Sequence, residues 1–138
     1  MALVLDTGPL YASLDRSDDA HLACRRLLER TDEQLVIPAP VLVEVDQLIS
    51  SRLDPAVFVA LLDDIGLGAY HVEWLEPADF GRVRQICEQY ADSNIGFVDA
   101  AVLAIVERLG ERKLATLDRR HFGMLRPRHV DGLELLPA

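Results

Sequence analysis

ALVLDTGPLYASL, residues 2–14, decides how the chain is read. Leu3, Val4 and Leu5 form an apolar run without alternation, the pattern of a short strand buried on both faces. Asp6 ends the run, Thr7, Gly8 and Pro9 follow, and a helix-like pattern then begins. In open parallel α/β sheets, ligands bind outside the carboxyl ends of the strands. A buried strand that delivers a carboxylate to its own tip fits that architecture, although an Asp in this place also suits the N-cap of the next helix.

The rest of the chain repeats the alternation. Further short apolar runs stand at 35–37, 71–75, 114–117 and 133–136. Helical patterns fill the intervals at 18–30, 40–53, 55–66, 77–91 and 96–110. Pro40, Pro55 and Pro77 sit at helix starts, and Gly110 is a natural C-cap. Strands alternating with helices imply an α/β fold, a parallel sheet of about five short strands covered on both faces. No internal repeat or linker divides the 138 residues, so one domain is expected. No run of about 20 uncharged apolar residues is present, so no membrane span is expected. The opening MALVLD meets an acid at once, unlike a signal peptide, and a cytoplasmic location is inferred. Cys24 and Cys87 form no CxxC pair and read as thiols on helix faces. The net charge of −9 argues against tight nonspecific nucleic-acid binding, but carboxylates that hold metal ions contribute to such a balance themselves.

Four acids stand where burial is expected. Asp6 ends the first strand, and Asp118 follows LATL with Thr116 two residues before it. Glu44 lies at the edge of an apolar stripe, near Val41, Val45 and Leu48. Asp99 points away from the polar stripe of its helix, among Val102, Leu103 and Val106, where a carboxylate is costly unless paired or metal-bound. Each alone has an ordinary explanation as a cap, a solvated edge or an ion pair. Brought together, they repel: two like charges ~4 Å apart cost about 4 kcal/mol at an effective dielectric of 20. Divalent cations offset that, and an all-oxygen site suits Mg²⁺ or Mn²⁺.

LVLDTGPL, VEV with Glu44, GFVDAAVLAIVERLG and LATLDRRHF stand in the order seen in PIN-domain ribonucleases. The chain resembles most the VapC-type toxins of VapBC toxin–antitoxin pairs, essentially over residues 1–138 as a single PIN domain. The resemblance implies a three-layer α/β/α sandwich and a Mg²⁺-dependent endoribonuclease, with Mn²⁺ able to substitute. It makes Asp6, Glu44, Asp99 and Asp118 the catalytic and metal-binding quartet. Thr7 and Thr116 become polar support and Asp92 a secondary acid. DTG replaces the frequent DTS, so Gly8 stands where a hydroxyl is common. The implied partners are an RNA substrate, a cognate VapB-type antitoxin and a second copy of the chain, with no membrane.

Of Arg119, Arg120, Arg126 and Arg128, the first two are the expected RNA contacts, since guanidinium grips phosphate bidentately. His121 and His129 match no catalytic position of the family and are left outside the chemistry. Trp74 reads as core or interface, and the adjacent amphipathic helices over 40–65 as the antitoxin groove. Two rival readings remain: a PIN-fold interaction module without chemistry, and a Mg²⁺-binding phospho-acceptor domain. The second needs a lysine at a strand end, and the only lysine, Lys113, precedes its strand.

Overall fold

The computed structural model describes all 138 residues. Five strands, β1 (Ala2–Leu5), β2 (Gln34–Pro38), β3 (His71–Glu73), β4 (Lys113–Ala115) and β5 (Glu134–Leu136), pair in parallel in the order β3-β2-β1-β4-β5. Seven helices flank the sheet: α1 (Thr7–Leu14), α2 (His21–Arg30), α3 (Ala39–Arg52), α4 (Ala56–Gly66), α5 (Pro77–Gln89), α6 (Phe97–Leu109) and α7 (Arg119–Met124). The expected parallel α/β architecture is therefore present. β1 is the central strand, and Leu3, Val4 and Leu5 are fully buried, as an unalternating apolar run requires.

The chain steps outward from β1 to β2 to β3, then returns past β1 to β4 on its other side. With right-handed crossovers, this reversal puts the β3–β4 helices on the opposite face from those of the first two connections. It also opens the sheet's crevice beside the carboxyl end of β1. Leu5 is level with Ala115 of β4, and the Asp6 N–H donates to the Ala115 carbonyl at 2.8 Å. Asp6 and Thr116 thus leave neighbouring strands side by side.

α6 is the best-buried helix: Ala100 through Val106 are all in the core, which explains why its sequence is apolar almost all round. Its polar end is anchored. Arg82 of α5 forks onto Glu107 at 2.7 and 2.9 Å. Arg108 reaches the buried Asp79 at 3.1 Å and Glu73 at 3.3 Å. Gly110 closes the helix in the left-handed region at φ 68°. These contacts fix the axis whose first turn carries Asp99.

Three sequence boundaries shift. The 18–30 pattern becomes helical only at His21, because the Asp18 carboxylate accepts from the Ala20 N–H at 2.9 Å in a turn. β3 stops at Glu73, short of Trp74 and Leu75. β4 stops at Ala115, and the chain leaves the sheet through Thr116 and Leu117.

Candidate metal centre

At the mouth of the crevice, Asp6, Thr7, Gly8, Glu44, Asp99, Leu117, Asp118 and His121 line an open pocket of about 540 Å³. All four expected carboxylates are in it. They come from the end of β1, the second turn of α3, the first turn of α6 and the residue before α7. Four separate elements converge on one concave site.

Hydroxyls from both expected threonines organise one wall. The Thr116 Oγ1 donates to Asp6 Oδ2 at 2.9 Å and accepts from the Asp118 N–H at 3.0 Å, so one side chain ties both strand-end acids together. The Thr7 Oγ1 donates to Glu44 Oε1 at 2.6 Å. Asp6 is 6% exposed and its side chain makes no capping bond to α1. The cap explanation for this residue therefore fails. Burial pushes the Asp6 carboxyl up to about 6; the Thr7 backbone N–H and the Thr116 hydroxyl pull the other way, and Asp99 and Glu44 add repulsion. Burial also raises Asp99, with His121 opposing and Asp118 and Glu44 reinforcing.

Asp118 behaves differently. Its Oδ1 accepts from the His121 N–H at 2.9 Å and so caps α7, the local role open to it from the sequence. It also joins the pocket, so cap and site are the same carboxylate. His121, left outside the chemistry above, is a lining residue: its Nδ1 lies 2.9 Å from both Asp99 Oδ2 and Asp118 Oδ2. The readable signal was the i, i+3 spacing of Asp118 and His121, which meets on one face only if a helix starts at 119.

Asp92 stands on an exposed 3₁₀ turn, Ala91–Ser93, and does not line the pocket. Arg119 donates to the Leu135 and Pro137 carbonyls, Arg126 to the Gly123 carbonyl and Arg128 to Gln85. Arg120 is exposed and keeps its guanidinium free of such bonds. A Cβ on Gly8 would meet three Leu117 side-chain atoms at 3.3 Å, so the glycine of DTG makes room for Leu117.

The pocket adjoins an apolar cleft of about 620 Å³ through Glu44, which lines both. Val43, Trp74, Phe80 and Phe97 line it and are exposed, Trp74 at 70%. Of the two readings of Trp74, core fails, because β3 ends one residue before it, and interface stands. The cleft is built on α3; on α4, Leu61 turns into the core at 1% exposure while Val59 and Leu62 are exposed.

The donor set is suited to a divalent cation: carboxylate oxygens that repel one another, two of them raised in proton affinity, and a converging imidazole. Asp99, Asp118 and His121 present ligand atoms all within 4.8 Å of one another. No helix is long and apolar enough to cross a membrane.

The family model of the PIN domain matches residues 3–124. The chain is 31% identical over 125 residues to ribonuclease VapC26 of Mycobacterium tuberculosis, covering 91% of this chain and 93% of that protein. Its fold is similar to VapC20 of M. tuberculosis, a sarcin-ricin loop cleaving toxin, with a TM-score of 0.74 at 20% identity over 82% of this chain and 87% of that one. It is also similar to VapBC2 from Rickettsia felis, solved bound to a DNA fragment from its promoter, with a TM-score of 0.69 at 18% identity over 98% and 97% of the two chains.

Proposed function

The chain belongs to the PIN-domain family, and from that membership and its four-carboxylate pocket we propose that residues 1–138 form one PIN domain. It acts as a divalent-metal-dependent endoribonuclease toxin held in check by a cognate antitoxin. The observation that carries the reading is the convergence of Asp6, Glu44, Asp99 and Asp118 from four elements on one open pocket. The 31%-identical relative is a ribonuclease, which supports RNA as the substrate class.

Asp6, Glu44, Asp99 and Asp118 would hold the cation, Mg²⁺ by the preference of oxygen donors, with Mn²⁺ able to substitute. A bound divalent ion supplies a water of lowered pKa and neutralises charge on the phosphate. Asp6 would ligate as the carboxylate, the form that its burial disfavours more than for an ordinary carboxyl. Thr116 fixes Asp6 by its Oδ2, and Thr7 fixes Glu44 by its Oε1. Asp118 is kept in place from behind by the cap of α7. Asp92 keeps a secondary role, and Arg119, whose guanidinium donates to the Leu135 and Pro137 carbonyls, is the lesser of the two phosphate contacts. Arg120 is the better phosphate contact, because its side chain is uncommitted.

The acidic pocket repels an RNA backbone until cations fill it, and it attracts a basic side chain. The adjoining cleft offers Trp74, Phe80 and Phe97 to an apolar segment. An antitoxin peptide with apolar anchors and a basic residue that reaches past Glu44 fits both. The VapBC relatives support such a partner, and a homodimer and a cytoplasmic location complete the reading.

The test is incubation of antitoxin-free protein with labelled total RNA and Mg²⁺ or Mn²⁺, against EDTA, Asp99→Asn and matched DNA strands. Discrete RNA ends, lost with EDTA and with the variant, are expected. Intact RNA across several pools, with folded and metal-loaded protein, would overturn the reading in favour of a pocket kept for binding alone.

A further inference from the structure

The two walls of the pocket differ in chemistry. Asp6 and Glu44 face hydroxyls, those of Thr116 and Thr7. Asp99 and Asp118 face an imidazole. The first turn of α7 fixes that imidazole: the His121 N–H bonds to one oxygen of Asp118, and the ring Nδ1 lies 2.9 Å from the other. The same nitrogen is 2.9 Å from Asp99 Oδ2 on a different helix. A neutral imidazole nitrogen has either one hydrogen or one lone pair to offer. A single hydrogen shared between two carboxylates satisfies neither well, whereas one cation beside all three donors satisfies each.

The spacing is the spacing such a cation needs. Neighbouring ligands around an octahedral ion with bonds of about 2.1 Å are about 3.0 Å apart. Both Nδ1–oxygen distances already match. His121, Asp99 and Asp118 have side-chain exposures of 23%, 20% and 40%, so the trio is neither sealed nor fully hydrated. Phe122, buried next in the chain, holds the turn to the core.

Nitrogen changes which ion is preferred. Mg²⁺ favours oxygen and keeps its waters, whereas imidazole suits the transition series. Resting on the reading of this pocket as a divalent-metal site, we propose that His121 ligates one ion through Nδ1, together with Asp99 and Asp118, and tilts that position toward Mn²⁺ or another transition ion over Mg²⁺. The ring binds as neutral imidazole with its proton on Nε2. The Asp6–Glu44 wall keeps the oxygen character that Mg²⁺ prefers. His121 is then the residue that sets metal choice at one wall of the site.

Pulsed electron paramagnetic resonance on Mn²⁺ added to the antitoxin-free protein tests the contact directly. Calorimetric titrations with Mn²⁺ and with Mg²⁺ accompany it, on the wild type, His121→Ala and Asp99→Asn, with folding checked by circular dichroism. Nitrogen-14 coupling on the bound Mn²⁺ is expected in the wild type and is lost in His121→Ala. Mn²⁺ affinity is expected to fall at least ~10-fold in that variant, as happens even for supporting partners of metal ligands, with Mg²⁺ affinity changing much less. Mn²⁺ that binds in an Asp99-dependent way but shows no nitrogen coupling would remove His121 from the ligand set and leave the metal site standing. Binding absent, or indifferent to Asp99→Asn, would overturn both the inference and the reading beneath it. The wild-type spectrum decides even if His121→Ala does not fold.

Discussion

Asp6 and Asp118 follow neighbouring parallel strands, yet the fold surrounds them in opposite ways. Asp6 is sunk to 6% exposure with one hydroxyl donor, and its burial raises its proton affinity. Asp118 keeps a side-chain exposure of 40% and is held by a backbone N–H that it caps. One carboxylate is destabilised by its surroundings and the other stabilises them. A buried acid is costly to the metal-free fold unless something offsets its charge; an exposed cap has a structural reason to exist with or without a ligand.

The largest effect that separates them is on cleavage. Asp6→Asn is expected to lower RNA cleavage by at least ~10²–10³-fold, the scale on which losing one group aimed at developing charge is felt. Asp118→Asn is expected to cost less, about 10–100-fold, because Asp118 is the more exposed ligand, whose place water can take. Rates on a mapped RNA target at saturating Mg²⁺ measure both. Equal losses would erase the distinction.

Next in size is the dependence of metal-free stability on pH. A folded carboxyl at about 6 holds a proton that the unfolded chain, near 3.8, has already released. Stability is therefore fully present below about pH 4 and is lost as pH rises through 6. The change is on the order of 3 kcal/mol, from roughly two pKa units at 1.36 kcal/mol each. Asp99 shifts in the same direction and adds to it. Urea unfolding between pH 4 and 7.5 in EDTA is expected to show this slope, and Asp6→Asn to flatten it.

Thr116→Val should be smaller and itself dependent on pH. It leaves Asp6 Oδ2 without its donor inside a site that is 1% exposed at position 116. A cost of about 1–3 kcal/mol is expected at pH 7.5, where Asp6 is ionised. That cost shrinks toward pH 5, where Asp6 is protonated. The same unfolding series on the variant measures it.

The smallest effect sharpens the comparison from the other side. Asp118→Ala removes the cap of α7 and is expected to cost about 1 kcal/mol, whereas Asp118→Asn keeps the cap and changes stability by a few tenths. Melting temperatures of the two variants in EDTA distinguish them. Together with the cleavage rates, they separate capping from ligation at one residue.

How much of this was readable from sequence depends on how local each cause is. The central strand was legible in Leu3–Leu5, because burial on both faces leaves no room for alternation. Asp99 was legible because α6 is apolar almost all round and an acid there has no solvent side to occupy. Glu44 was legible as an edge residue. His121 was not, because its partnership with Asp118 exists only once α7 starts at Arg119, and its partnership with Asp99 joins elements 22 residues apart. Trp74 looked like a continuation of a strand; pairing with β2 ends at Glu73, and nothing local to the sequence marks that end. Leu61 and Val43 have the same apolar character, and only packing decides that the first turns inward and the second faces the cleft.

The central position of β1 has a consequence for how the protein is made. Asp6 leaves the ribosome 110 positions ahead of its hydroxyl partner Thr116, and well before the neighbouring strand β4. Until β4 is synthesised, the strand bearing Asp6 is an edge, Thr116 is missing and Asp118 does not exist. A nascent chain that has not reached LATLDRRHF therefore lacks the Leu117, Asp118 and His121 lining of the pocket.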